Sequence, residues 1–166
     1  MYQDVIVNMT SPILILAVGN ESRGDDALAP LLLRQLEEHA NSAWIELLED
    51  FQLQIEHAAD LVDRDLVLFV DAGMDTPAPY SFYRVRPDDG RTLFSHALAP
   101  EAVLTTYLHI YKQPPPPSYV LCICGEQFEL GTQLTQQARQ HLQLALKFMQ
   151  KLLREPRVSA WEGYCI

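Results

Sequence analysis

Nothing constrains the fold of this chain more than three short stretches that are apolar on both faces. They are Ile13-Leu14-Ile15-Leu16-Ala17-Val18, Leu66-Val67-Leu68-Phe69-Val70 and Tyr119-Val120-Leu121-Cys122-Ile123-Cys124. A strand wetted on one side alternates apolar and polar residues; a strand covered on both sides does not. All three runs fall well short of the roughly 20 residues that span a bilayer. Between them lie segments of helical periodicity, over residues 27–39, 52–62, 100–111 and 134–153. The first of these sets Leu28, Leu31, Leu32 and Leu36 on one stripe. Residues 44–48 add a strand, and the alternating residues 80–85 read as an edge strand. Strands alternating with helices imply βαβ units. The expected fold class is therefore α/β, with three layers: a twisted, mostly parallel sheet of about five strands, flanked by helices on both faces. The 166 residues suffice for one core. One domain over 1–166 is expected, with loose termini at 1–11 and 154–166.

Charge narrows the function classes. The formal net charge is −10, which repels phosphate backbones and argues against nucleic acid as a partner. A cationic partner, or one that brings a metal ion, suits the sign better. The three cysteines are odd in number and match no disulfide framework. Cys122 and Cys124 sit two apart in an apolar run and read as small buried hydrophobes. With no leader-like segment and no membrane span, the expected home is a reducing cytoplasm.

In parallel sheets, ligands bind beyond the carboxyl ends of strands, where the strand order reverses. Asp25, Asp26 and Asp71 all fall at such ends. Pro30 lacks an amide hydrogen and so belongs in a first helical turn, which places the helix start near Asp26. The turn is not a dinucleotide fingerprint, because Ala17 and Glu21 stand where glycines are needed. Each candidate has an ordinary explanation when taken alone. Asp26 could be a helix cap, Asp71 a carboxylate holding loop amides, and His96 a cap or surface residue. Together they form a different proposition: two carboxylates facing one crevice and an imidazole in a long connection suit a divalent ion such as nickel, zinc or manganese. His39, His57, His109 and His141 read as structural or solvated. The chain has no G-x-S-x-G elbow, and the buried cysteines make poor nucleophiles.

Four motifs in order now resemble a known family. Gly19-Asn20, then Gly24-Asp25-Asp26 opening a helix, then Phe69-Val70-Asp71-Ala72 closing a strand, then Ser95-His96 with Pro100, look like the hydrogenase maturation proteases. These are endopeptidases, historically described as aspartic-type or metal-dependent, that remove the C-terminal extension of a nickel–iron hydrogenase large subunit. Residues 52–58 and 125–131 look like the branch serving cytoplasmic, bidirectional, NAD(P)-linked hydrogenases. The resemblance implies that Asp26, Asp71 and His96 are the catalytic and metal-contacting residues. It also implies that Gly19, Asn20, Asp25, Gly125 and Glu126 meet the substrate. The implied metal is nickel carried by the substrate, with no organic cofactor. The implied partner is the large-subunit precursor, met by a monomer, with neither nucleic acid nor membrane involved. The family often has glycine where Ala17, Ala27 and Ala29 stand and an apolar residue where Glu21 stands, so a tighter or differently aimed turn is expected. Two other readings fit the same residues: a hydrolase with its own bound metal, and a chaperone that holds a metalloprotein precursor without cutting it.

Overall fold

A computed structural model describes residues 10–39, 43–88 and 98–166. Among the described residues, five strands form one sheet: β1 Ile13–Val18, β2 Ile45–Asp50, β3 Leu66–Gly73, β4 Tyr80–Val85 and β5 Ser118–Cys124. Their order is β2-β1-β3-β5-β4. The first four in that order run parallel, and β4 closes one edge antiparallel to β5.

Alternation along the strands builds two cores. Ile13, Ile15 and Ala17 of β1, Leu66, Leu68 and Val70 of β3, and Tyr119, Leu121 and Ile123 of β5 pack on one face. That face is covered by the helices α1 (Leu28–Glu37), α3 (Gln136–Arg154) and α4 (Val158–Glu162). Leu14, Leu16, Val18, Val67, Phe69 and Val120 pack on the other face, under a 3-10 helix at Ile55–Leu61 and the helix α2 (Pro100–Tyr111). The expected three-layer α/β fold is thus the observed one. Every residue of β1 is buried, which is why its sequence shows no alternation.

Two elements differ from the sequence expectation. Residues 52–62 are not an α-helix. The chain stays extended at Gln54 and then forms the 3-10 helix, whose buried Ala58 and Leu61 are spaced by three, as that helix requires. Nor is the whole of 154–166 a loose tail. Trp161 of α4 is fully buried, donates its indole N–H to the Leu152 carbonyl at 3.0 Å, and packs edge-on against Phe82 and Tyr119. A buried indole with its donor satisfied anchors the segment. Ile166 then donates its amide to the Phe82 carbonyl on the outer edge of β4. Of the lead-in expected over 1–11, residues 1–9 lie outside the described residues. No helix among the described residues is long and apolar enough to cross a membrane.

Candidate active site

The chain leaves β1 for α1 and returns to β2 on one side of β1, whereas β3 lies on the other side. The strand order therefore reverses between β1 and β3, and a crevice opens beyond their carboxyl ends. Asp71 belongs to β3, two residues before its end, in register with Cys122 of β5. Val67 and Phe69 face the α2 layer, so the period of two carries Asp71 onto that same face.

Asp26 reaches the crevice from the loop after β1. Gly19 makes the turn possible: a side chain there would collide with the Asp26 carbonyl and press on the ring of Pro30. Residues Gly24–Ala27 form a 3-10 turn that leads into α1, and Pro30 sits in the helix's first turn as its chemistry demands. Asp26 does not cap α1, whose N-terminus has no side-chain cap. Its carboxylate instead accepts the Asn20 amide at 2.7 Å. The alanines expected to re-aim the turn sit in ordinary structure: Ala17 is inside β1, Ala27 has φ −72° and Ala29 is in α1.

The resulting cleft has a volume of about 500 Å³. Asp26 and Asp71 both open onto it, with Val18 and Gly19 beneath, Phe51, Gln52 and Leu53 on one wall, and Leu98, Ala99 and Pro100 on another. Burial drives the Asp71 carboxyl up to about 7; the amide of Ala72 opposes this, and the charge of Asp26 adds to it. A carboxylic acid poised near neutrality can take or give a proton at the pH of a cell. His96, the third member expected here, lies outside the described residues. Among the described residues, no group of three potential ligands converges. The two carboxylates are the part of the expected set that the structure brings together.

The expected substrate contacts divide. Gly19 lines the cleft. The Asn20 side chain accepts the Ser22 amide within its own loop, so this residue shapes the turn and orients Asp26. Asp25 is a correction. It is fully buried, and its carboxylate accepts the amides of Glu126 and Gln127 and both the amide and the hydroxyl of Thr135, at 2.8–3.1 Å. Burial raises this carboxyl, but those donors together outweigh it and hold it below the usual carboxylate value. Fully buried and held by these four donors, Asp25 joins two loops and does not line the cleft. Gly125 packs closely against Asp25, since a side chain there would meet the Asp25 Cβ at 2.8 Å and the Phe128 ring at 2.9 Å. It lets the two loops close on each other. Glu126 gives its amide to Asp25 and leaves its side chain exposed.

His57, read from sequence as structural or solvated, proves to be a clamp beside the cleft. Its Nδ1 accepts the Gln54 amide at 2.9 Å, so the proton of the neutral ring lies on Nε2, which donates to Asp50 Oδ2 at 3.1 Å. The clamp pins both ends of the wall formed by Phe51, Gln52 and Leu53. The spacing Asp50–Gln54–His57 carried that information, but only once 54–57 is read as a tight turn. A second hollow, of about 320 Å³, lies at the opposite end of the sheet, between Arg84, Arg86 and the run Pro114–Pro117. Among the described residues, no carboxylate, histidine or thiol lines it.

No protein-family profile matches the chain, and no curated protein does. Solved structures do. The hydrogenase maturating endopeptidase HybD from E. coli is 25% identical, with TM-score 0.69, covering 87% of this chain and 93% of that one. The [NiFe] hydrogenase maturation protease HycI from Thermococcus kodakarensis is 21% identical, with TM-score 0.67, covering 92% and 97%. The [NiFe] hydrogenase maturation protease HybD from the same organism is 19% identical, with TM-score 0.63, covering 84% and 97%. In fold, this chain belongs with the hydrogenase maturation endopeptidases.

Proposed function

We propose that this protein is an endopeptidase that removes the C-terminal extension of a nickel–iron hydrogenase large subunit, and that Asp26, Asp71 and His96 recognise nickel already installed in that substrate. The observation that carries the reading is the pair of carboxylates opening onto one cleft at the strand-order switch, with Asp71 raised to about 7. Two such groups repel each other when both are ionised, and a divalent ion relieves that repulsion. The pair therefore favours a precursor that brings its own cation over an empty one. Carboxylate oxygens are suitable ligands for such an ion, and an imidazole from His96 would complete a mixed oxygen–nitrogen set.

The hydrolytic step asks for a base that accepts a proton from water as it attacks the peptide carbonyl, and then an acid that delivers a proton to the departing amine. Asp71 has the affinity for both while its oxygens are free of metal. Metal and proton compete for its oxygens, so nickel capture weakens as pH falls below about 7.

The test is cleavage of purified large-subunit precursor, prepared with and without nickel. Shortening of the nickel-loaded form alone supports the reading. Equal shortening of both forms removes nickel recognition. Stable binding with no shortening favours a chaperone, and one tightly held metal ion in the protein as purified favours a hydrolase with its own ion.

A further inference from the structure

Few large apolar side chains in the described residues are more than half exposed, and four of those lie together at one end of the sheet. Phe51 is 71% exposed, Ile55 54%, Met74 60% and Leu130 70%. Phe51 directly follows β2 and Met74 directly follows β3. Ile55 opens the 3-10 helix behind the Asp50–His57 clamp. Leu130 lies on the loop after β5, where the neighbouring Gly131 amide is bonded to the Ser22 carbonyl of the loop that carries Asp26. Because β2, β1, β3 and β5 are parallel, all these loops leave the same edge, around the cleft of Asp26 and Asp71.

A second regularity goes with the first. Each of the four apolar residues has a carboxylate as its immediate neighbour in sequence: Asp50-Phe51, Ile55-Glu56, Met74-Asp75 and Glu129-Leu130. Glu56, Asp75 and Glu129 are themselves exposed. Apolar area left in water at four loop tips is a feature of interaction surfaces. The interleaved negative charge specifies what fits: apolar side chains flanked by lysine or arginine.

We propose that these loops form a docking rim for a folded protein partner, whose contact surface interleaves apolar and basic residues and surrounds the segment entering the cleft. This rests on the proposed function, and the partner it commits to is the precursor itself. The loops are supported for the task. Asp25 bolts the loop after β1 to the loop after β5 through the amides of Glu126, Gln127 and Thr135, and the His57 clamp holds the wall after β2. A rim held this way binds a protein surface without first paying to order its own backbone.

Steady-state cleavage of nickel-loaded precursor by Met74→Glu, Leu130→Glu and the double charge reversal Asp75→Lys/Glu129→Lys tests this, with affinity for the same precursor measured separately. Thermal melting of each variant should match the wild type, since the side chains are exposed. The rim predicts that each variant raises KM and the dissociation constant by about tenfold, the loss of one well-placed contact, with kcat unchanged. It also predicts that wild-type KM rises with salt and that the charge reversal loses this dependence. Active wild-type enzyme with unaltered KM in all three variants overturns the rim and leaves the proposed function standing. Wild type that binds but does not cut, with binding lost in the variants, supports the rim and overturns the function. Wild type that neither binds nor cuts overturns both.

Discussion

At the residue scale, two adjacent aspartates and one distant one have different physical fates. Asp25 is locked by four donors and stabilises the fold, so Asp25→Ala leaves those donors unpaired and is expected to cost about 2–4 kcal/mol in chemical denaturation at neutral pH. Its folded-state affinity for protons is lowered, so its contribution is present above the ordinary value of 3.8 and is lost as pH falls below it. Melting of wild type and variant should therefore converge in acid. Asp71 has the opposite sign. Its carboxyl is raised from 3.8 to about 7, so ionisation costs folded-state stability, fully so above 7. Asp71→Asn is expected to be more stable than wild type by on the order of 1–3 kcal/mol at pH 8, with the gain fading towards 3.8. A variant that is less stable at pH 8 contradicts this assignment. The sequence shows Asp25 and Asp26 as a pair at a helix mouth, yet not which one turns inward. That choice is made by Gly125 and Thr135, more than 90 positions away, and no local pattern reports it.

At the element scale, strands were the most legible. A run apolar on both faces admits few alternatives, and β1 and α2 have the bounds that their patterns imply. The helix after β1 was legible through Pro30, although its start proved to be a 3-10 turn without a side-chain cap. The C-terminal segment was not legible, because its anchor is a single tryptophan whose partners Phe82, Tyr119 and Leu152 lie on other elements. Short segments show no periodicity, and one large side chain can still fix them. Trp161→Ala is expected to cost about 3–5 kcal/mol, by the cavity it leaves, and to expose residues 154–166 to limited proteolysis. An uncut tail in the variant contradicts the anchor.

At the scale of the whole molecule, the sheet order turns three features far apart in sequence into one site. The reversal between β1 and β3 brings Asp26 and Asp71 to the same cleft, and the parallel strands place the exposed Phe51, Met74 and Leu130 around it. The carboxylates were legible because strand ends in a parallel sheet are where ligands bind. The rim was not, since single exposed apolar residues carry no sequence signature. The proposed task of this cleft is to cut a hydrogenase large subunit. It is tested most directly by the intact mass of nickel-loaded precursor after incubation with wild type, Asp26→Asn or Asp71→Asn. The expected result is a shortened large subunit and a released C-terminal peptide with wild type, and a rate lower by at least about 100-fold with Asp71→Asn, which loses the acid–base group, and with Asp26→Asn, which loses a metal contact. Shortening at an undiminished rate by Asp71→Asn would contradict it.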